Sequence, residues 1–332
     1  MTGSLGSVDV SVIIPARDAV ATIGATLRSV LAQDPPPTQI VVAIPPGDEA
    51  TRAEVAETAS ALDADVVTIV DNPTGRTPDG LNAALAAATG DVIARVDAHA
   101  VPPPGYLATA LERLAQDDRI GNVGGIQRPV GSDPGSRAVA AAMQSPLGSG
   151  GAAHRSGTEP GPIDTVYLGV FRAEALADVG GFDRRFTRNQ DYELNVRLRE
   201  AGWTVWFDPA MVVEYRPRSS LRALARQYFE YGRWRRATLR LHPGSRQVRQ
   251  LALPAALAIF VLSTVAGWVS GAPWVGPILI AVWIGLLMIE ALPGAGRANP
   301  LRVALALALM HVCWTAGLLV GPPRGWQDLP EA

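Results

Sequence analysis

Along the first half of the chain, short apolar runs alternate with segments in which apolar residues recur at helical spacing. Short apolar runs rich in β-branched residues predict strands over 9–15, 39–44, 65–70 and 91–96. Between them, apolar residues recur at helical spacing and predict helices over 19–31, 49–61, 79–88 and 104–116. This alternation predicts an α/β fold with a doubly wound, mostly parallel sheet flanked by helices. Ligands of such sheets bind beyond the carboxyl ends of the strands, so polar residues there are candidates for function.

The last third of the chain is almost uncharged. Residues 251–270 carry no charge, 273–292 carry only Glu290, and 301–320 carry only Arg302 besides His311. A 20-residue helix rising 1.5 Å per residue covers the roughly 30 Å hydrocarbon core of a bilayer. The pattern therefore predicts three transmembrane helices, with a helical hairpin of the first two as an alternative.

A basic segment precedes these apolar stretches. Within residues 219–241, apolar side chains recur at helical spacing while most arginines lie off that stripe. The pattern predicts an amphipathic helix lying on anionic membrane lipids. Because a membrane span follows directly, a nucleic-acid partner is not expected. The apolar stripe consists of Leu221, Leu224, Ala225, Tyr228 and Tyr231.

Charge divides the chain into three regions. Residues 1–214 hold 27 acidic and 16 basic residues, 215–249 hold one and ten, and 250–332 hold three of each. The net charge of −2 is thus a cancellation, which excludes a disordered chain, a collagen-like repeat and a purely soluble enzyme. We expect a globular domain over 1–214, a basic neck over 215–249 and a membrane anchor over 250–332.

The arginines beside the apolar segments predict the orientation. Arg246 and Arg249 precede the first segment, and Arg297 and Arg302 lie between the second and third. The positive-inside rule therefore predicts a multi-pass protein of the plasma membrane with its globular domain in the cytoplasm. Three spans would place the C-terminus outside. The N-terminus shows no secretory-signal pattern, which agrees with a cytoplasmic domain.

Three acidic residues, Asp18, Asp71 and Asp97, follow predicted strands. Asp97 and His99 are two residues apart, so carboxylate and imidazole could converge on Mg²⁺ or Mn²⁺ with phosphate as a further ligand. A turn carboxylate before the following prolines is the structural alternative. The chain has neither a Walker loop nor a GxGxxG motif, so a diphosphate site would need a metal.

A second polar cluster runs from Asn189 to Glu200. Leu194 and Leu198 continue a helical pattern from this cluster, which places Asp191 in the first helical turn. The helix dipole stabilises a carboxylate there, so Asp191 by itself is explained as an N-terminal helix acid.

The order and spacing of four segments, together with the three predicted terminal spans, resemble family 2 glycosyltransferases of the GT-A fold. The likeness is greatest to membrane-anchored exopolysaccharide glucosyltransferases of the succinoglycan type. The segments are SVIIPARD at 11–18, DGLNAALAAATGDVIARVDAHA at 79–100, GVFRAEALADVGGFDRRFTRNQDYELNVRLREAG at 169–202 and YRPRSSLRALARQYFEYGRWR at 215–235.

The resemblance implies roles for individual residues. Asp191 would be the catalytic base, and Asp97 and His99 would hold Mg²⁺ or Mn²⁺. The nucleotide-sugar donor would be bound by Pro15, Ala16, Arg17, Asp18, Asp71, Arg76, Asp79, Asn82 and Asp97. The acceptor or the diphosphate would be contacted by Gly169, Gln190, Arg233 and Trp234.

The resemblance also implies an inverting transfer of one hexose from a nucleotide-diphosphate sugar to a polyprenyl-linked saccharide. Two alternatives stay open. One is transfer directly to polyprenyl phosphate. The other is an inactive nucleotide-sugar-binding scaffold, because 43–48 (AIPPGD) and Gln190 depart from the family pattern.

Overall fold

The computed structural model describes residues 8–150, 157–292 and 298–328. Two compact units are present, and each is discontinuous in sequence. The first, here called the catalytic unit, comprises 1–127, 157–214 and 325–332; the second, the helical unit, comprises 128–156 and 215–324. These units cut across the three consecutive regions expected from composition, because 128–156 joins the neck and anchor while the last residues join the catalytic unit.

Eight strands and twelve α-helices are present in the described residues. The strands are β1 Val10–Pro15, β2 Gln39–Ile44, β3 Val67–Asp71, β4 Val92–Arg95, β5 Ile120–Pro129, β6 Gly161–Pro162, β7 Tyr167–Arg172 and β8 Thr204–Tyr215. The first eight helices are α1 Val20–Leu31, α2 Glu49–Ala61, α3 Thr77–Ala87, α4 Tyr106–Leu114, α5 Pro134–Gln144, α6 Pro146–Ser149, α7 Ala173–Asp178 and α8 Gln190–Glu200. The last four are α9 Leu221–Leu241, α10 Val248–Val269, α11 Val275–Ala291 and α12 Pro300–Val320.

One eight-stranded sheet forms the centre of the catalytic unit, with strand order β3-β2-β1-β4-β7-β5-β8-β6. The four predicted strands β1 to β4 form its parallel half. The pairs β4–β7 and β5–β7 are antiparallel, as is β6–β8. The α/β architecture is confirmed, and an antiparallel half that the sequence pattern did not reveal extends the sheet.

The parallel strands β1, β2 and β4 are buried on both faces, which is why they read as continuous apolar runs, whereas the edge strand β3 is half-buried. In β1, Val12 and Ile14 belong to the apolar cluster on one face, whereas Ile13 belongs to the cluster on the other. The same alternation in β4 gives Val92 and Ala94 to the first cluster and Ile93 to the second. Arg95 follows Ile93 by two positions, so alternation places it on the Ile93 face.

The helical unit has its own apolar core. Residues of α5, α9, α11 and α12 pack together, including Met143, Leu224, Leu287, Leu307 and Met310. The neck helix predicted within 219–241 is present as α9, with Leu224 and Tyr228 of its apolar stripe buried. Leu224 and Tyr228 of the stripe pack against protein, whereas Leu221, Arg222 and Arg226 are exposed.

Two glycines allow α9 and α12 to approach closely. A Cβ atom on Gly232 would lie 2.0 Å from the carbonyl oxygen of Trp314, and one on Gly317 would lie 2.0 Å from that of Phe229. Either distance is far below van der Waals contact. The backbones of the two helices therefore touch where no other residue type fits.

The expectation of three transmembrane helices needs correction. Within residues 8–150, 157–292 and 298–328, two helical segments are long and apolar enough to cross a membrane, Gln250–Val269 and Pro300–Val320. The helix between them, α11, has only 17 residues. The first candidate has 6% of its residues buried within the protein and the second 44%, because α12 packs against neighbouring helices.

We predict that Gly232→Ala lowers the stability of the helical unit by roughly 1–3 kcal/mol, the usual cost of overpacking. Gly285→Ala is the control, because nothing lies within 4 Å of a Cβ at that position of α11. Thermal unfolding of the purified full-length protein in detergent measures both. Equal melting temperatures for the two variants would contradict the close approach.

Candidate active site

The carboxyl ends of β1 and β2 are joined through Asp48. Its carboxylate accepts a hydrogen bond from the Asp18 backbone N–H at 2.7 Å and caps α2 by accepting from the Thr51 N–H at 3.2 Å. Desolvation opposes ionisation, but these hydrogen bonds hold the pKa of Asp48 below its ordinary value. Asp18 itself adopts a left-handed backbone conformation with φ of 50°.

Of the four donor-site candidates at the end of β1, two present exposed side chains, Arg17 and Asp18. Ala16 is buried and Pro15 is half-buried, so they shape the strand end. At the end of β3, Asp71 pairs with Arg52 of α2 and keeps most of its side chain exposed. These residues line neighbouring ends of the parallel strands, as the sequence predicted.

Asp79 is the centre of a polar cluster at the start of α3. Its buried carboxylate accepts from the Arg76 Nε at 2.7 Å, from Thr74 and from Arg184. Desolvation would raise the pKa of Asp79, but these hydrogen bonds hold it below its ordinary value. The Asp79 carboxylate is thus hydrogen-bonded within the protein. The guanidinium groups of Arg76 and Arg184 are partly exposed, so they can bind an anion.

Asn82 has a structural partner. Its side-chain amide donates to the carbonyl oxygen of Phe182 at 2.7 Å, and its oxygen accepts from the Phe182 N–H at 2.9 Å. This pair joins α3 to the loop before α8. Asn82 therefore positions the loop that leads to Asp191.

The Asp97–His99 turn is fixed by two hydrogen bonds. The Ala100 N–H donates to the carbonyl oxygen of Asp97, and the Thr22 hydroxyl donates to that of Ala98, each at 2.8 Å. His99 is exposed, and the Asp97 side chain keeps 19% of its surface exposed. The turn holds both side chains at the carboxyl end of β4.

Arg95 connects the two carboxylates that the resemblance singles out. Its Nη2 and Nε donate to Oδ1 of Asp97 at 2.9 and 3.2 Å, and its Nη1 contacts Oδ1 of Asp191. The guanidinium carbon also lies 5.9 Å from the centre of the Phe182 ring. Asp97 and Asp191, 94 positions apart in sequence, therefore lie within reach of one guanidinium group.

The electrostatics of this cluster favour ionised Asp97. Desolvation alone would raise its pKa, but the positive charge of Arg95, helped by His99, holds it below the ordinary value. A carboxylate that stays ionised at neutral pH can serve as a metal ligand.

The surroundings of α8 account for two further candidates. Gln190 begins the helix and is buried, next to Asp191, whose side chain is 41% exposed. A Cβ on Gly169 would lie 2.3 Å from the side-chain oxygen of Asn122. Close packing inside the sheet therefore explains the glycine at position 169. The predicted contact of Gly169 with the acceptor is not needed to explain it and stays a prediction.

Arg233 and Trp234 belong to the helical unit, where their described contacts are internal. Arg233 donates to the carbonyl oxygen of Gly321 at 2.8 Å and to Glu230 at 3.0 Å. Trp234 is buried in α9. The suggested contact of these residues with the acceptor or diphosphate stays a prediction.

Three residues of this region were not anticipated. Arg95 had a visible signal, because a charge interrupts the apolar run of β4. Asp48 had one also, because an aspartate just before a predicted helix is a common N-cap. Arg184 had none, since its link to Asp79 spans 105 positions.

The donor atoms of the Asp97–His99 turn fit a divalent ion with phosphate ligands. Among the described residues, Oδ2 of Asp97 and both ring nitrogens of His99 have no hydrogen-bond partner, so they are available as ligands. No group of three or more His, Cys, Asp or Glu side chains suited to a metal occurs in the described parts of the chain. A metal here would need the oxygens of its substrate, as is usual for Mg²⁺ in phosphate sites.

We predict that Asp79→Asn lowers stability at pH 7 by about 1–3 kcal/mol, since two arginines lose a buried partner. Because the pKa of Asp79 is lowered in the folded state, its ionised carboxylate stabilises the protein at pH values above the ordinary aspartate pKa of about 4. That contribution is lost as the pH falls through the lowered pKa, so the difference from wild type should shrink below about pH 4. Urea denaturation at neutral and acidic pH measures it.

The control is Asp118→Asn, which removes a fully exposed carboxylate 3.5 Å from Arg172 and should change neither value. A stability difference for Asp79→Asn that is the same at both pH values would contradict the ionised cluster.

Comparison with known proteins addresses the family and the fold of this chain. The chain is 31% identical over 332 aligned residues to the succinoglycan biosynthesis protein ExoA of Rhizobium meliloti (strain 1021), covering 96% of this chain and 94% of that protein. Its structure is similar to that of the mannosyltransferase PcManGT from Pyrobaculum calidifontis in complex with GDP-Man and Mn²⁺. The TM-score is 0.60 at 21% identity, covering 93% of this chain and 88% of that one.

A second solved structure, GalNAc-T7 with UDP, GalNAc and Mn²⁺, has a TM-score of 0.50 at 15% identity and covers 72% of this chain and 51% of that one. These two likenesses concern the fold. A family model described as "Glycosyltransferase like family 2" matches residues 8–237. With the strand-end carboxylates in place, the conclusion is that this chain belongs to the family 2 glycosyltransferases and has the GT-A fold.

Proposed function

We propose that the protein transfers a hexose, with inversion, from a nucleotide-diphosphate sugar to a polyprenyl-linked saccharide during exopolysaccharide synthesis. The observation that carries this proposal is the convergence of Asp97 and Asp191 on Arg95 at the carboxyl end of the parallel strands. The name of the full-length relative, a succinoglycan biosynthesis protein, supports the product class.

The donor would lie across the ends of β1, β3 and β4. Arg17, Asp18 and Asp71 present exposed polar groups where the nucleotide base and ribose would bind. Arg76 and Arg184, both held by Asp79, would meet the negative charge of the diphosphate.

Asp97 and His99 would hold Mg²⁺ or Mn²⁺ together with the diphosphate oxygens. Two structural neighbours contain Mn²⁺, which is consistent with this choice. When bound, the ion would supply Lewis-acid stabilisation of the negative charge on the departing nucleoside diphosphate.

Asp191 would act as the general base. Its Oδ1 contacts Arg95, while its Oδ2 has no hydrogen-bond partner among the described residues and the side chain is partly exposed. The acceptor hydroxyl would give its proton to Asp191 as its oxygen attacks the anomeric carbon. The nucleoside diphosphate leaves from the opposite side, so a single displacement inverts the anomeric configuration.

Transfer would take place at the cytoplasmic face of the plasma membrane. The apolar helices suggest membrane association, and Arg246 and Arg302 lie beside them. By the positive-inside rule, such residues, and with them the catalytic unit, would lie in the cytoplasm. The exposed arginines Arg222, Arg226 and Arg240 of α9 would contact anionic lipids.

We predict that Asp191→Asn lowers the transfer rate about 10²- to 10⁴-fold, the usual contribution of a positioned base. Membranes containing the protein are incubated with Mn²⁺ and a panel of UDP-, GDP- and dTDP-sugars, and the released nucleoside diphosphate and the glycolipid product are measured. A lipid carrying a single sugar on polyprenyl phosphate would favour direct transfer to that carrier.

The matched control is Glu174→Gln, which neutralises an exposed acid in the first turn of α7 and should leave transfer unchanged. Full activity of Asp191→Asn would refute the base assignment. Absence of turnover with every donor of the panel would favour an inactive scaffold.

A further inference from the structure

The C-terminal segment returns to the catalytic unit. The ring of Trp326 packs edge to face on that of Phe186, with centroids 5.7 Å apart, and both side chains are buried. Phe186 lies in the loop before α8, and residues from Gly325 onward belong to the catalytic unit. Residue 326 must therefore lie on the same side of the membrane as the catalytic unit, so the chain crosses an even number of times between 214 and 325.

The partners of α12 argue against its crossing the bilayer. Its most extensive contacts are with α9. Arg233 of α9 donates to the carbonyl oxygen of Gly321, and Arg236 donates to that of Leu318 at 3.1 Å. If α12 crossed, the arginine-rich α9 would have to accompany it into the hydrocarbon core, where exposed arginines are costly.

A second contact of α12 leads to the same conclusion. Nε2 of His311, in the middle of α12, lies 3.1 Å from the carbonyl oxygen of Leu147 in α6. The short helix α6 belongs to the segment that connects β5 to β6, two strands of the catalytic sheet. A helix held at its midpoint by that connection is a helix of the protein core.

The helices α10 and α11, unlike α12, expose most of their apolar side chains. Examples are Ile259, Leu262, Val282 and Ile289. Near the end of α11, however, Leu287 and Ala291 are buried in the core of the helical unit. Gln250–Val269 has the length of a span, at roughly 30 Å, and the 17 residues of α11 reach the lower limit of about 17.

The turn between α10 and α11 has the composition of a segment that lies at a membrane interface. It is uncharged over 270–274 and is flanked by the exposed rings of Trp268 and Trp274. Tryptophan is enriched at bilayer interfaces, and the basic residues all lie at the other end of the two helices.

We propose that α10 and α11 form a two-span hairpin in the lipid bilayer, with α12 and the C-terminal segment on the side of the catalytic unit. The apolar face of the hairpin meets acyl chains. This arrangement replaces the expected three spans and the expected external C-terminus, and it does not depend on the catalytic roles proposed above.

Single cysteines test the hairpin in intact cells that express the full chain, after the only native cysteine is removed by Cys313→Ala. Ser270→Cys marks the turn, Asp328→Cys the C-terminal segment, and Glu57→Cys, on exposed α2, the catalytic unit. A membrane-impermeant maleimide should label Ser270→Cys from outside, and the other two variants only after the cells are opened.

External labelling of Asp328→Cys while Glu57→Cys stays protected would restore three spans and overturn the hairpin. Labelling of all three variants, Ser270→Cys included, only in opened cells would show that the helices do not cross and would also overturn it. External labelling of Glu57→Cys and Asp328→Cys, with Ser270→Cys protected, would keep the hairpin and reverse only its orientation.

A second inference concerns Arg95 and rests on the proposed function. The Arg95 side chain is 5% exposed, and its planar guanidinium contacts Asp97 and Asp191 through different nitrogen atoms. The planar guanidinium presents its donors in a rigid fork. Asp97 accepts two hydrogen bonds from this fork, and Asp191 forms an ion pair with it. The two carboxylates are therefore held in a set relation by one guanidinium group.

The bonding pattern leaves one oxygen of each carboxylate available. Arg95 binds Oδ1 of Asp97 and Oδ1 of Asp191, while neither Oδ2 has a hydrogen-bond partner among the described residues. We infer that Arg95 is a positioning residue: it orients Asp191 so that Oδ2 receives the acceptor proton. Small displacements of a reacting group can cost about 100-fold in rate.

The test compares Arg95→Met with Arg113→Met in the purified full-length protein. Arg113 forms a similar 2.7 Å pair with the buried carboxylate of Asp208, so its loss reports the structural cost of breaking such a pair. Arg95→Met should lower kcat about 100-fold while the donor KM changes less than about threefold. Arg95→Lys should recover part of the rate, whereas Arg113→Met should keep the wild-type kcat per folded molecule.

Wild-type kcat in Arg95→Met, with a loss of melting temperature like that of Arg113→Met, would overturn the positioning role alone. A rise in donor KM at unchanged kcat would also overturn it, because that result indicates uniform binding. Absence of turnover in the wild-type protein would refute the proposed function, and the role of Arg95 with it.

Discussion

The buried guanidinium of Arg95 requires compensation by negative charge. It ends a strand whose other side chains are apolar, and a buried cation is strongly destabilising unless it is paired. Asp97, two residues on, and Asp191, at the start of a distant helix, supply that charge. The same ion pairs that make the charge of β4 tolerable bring together the side chains suited to bind a metal and to remove a proton.

The rest of the catalytic unit supports this point of contact. The Asn82–Phe182 pair fixes the loop before α8 to α3, and the Thr22–Ala98 hydrogen bond fixes the turn after β4 to α1. Asp79 gathers two arginines beside these loops. Rigid helices and strands thus hold short loops at the strand ends, where α/β sheets usually bind their ligands.

The helical unit is built around an apolar core. Its core is formed by helices from two separate parts of the chain, α5 on one hand and α9, α11 and α12 on the other. The chain leaves the catalytic unit at Glu214 and rejoins it at Gly325. In the arrangement we propose, the hairpin of α10 and α11 provides membrane attachment, while α12, equally apolar, is a core helix held by α9 through paired glycines and arginine caps.

The sequence by itself determined the parallel half of the sheet, helix α8 with Asp191 in its first turn, and the amphipathic α9, because each follows from periodicity within one short segment. Motif order identified the family and the carboxylates. Only the tertiary structure decided the antiparallel half, the pairing of Arg95 with Asp191, the link between Arg184 and Asp79, and the burial of α12. These depend on contacts between residues far apart in the chain, and hydropathy cannot distinguish a helix that faces lipid from one that faces other helices.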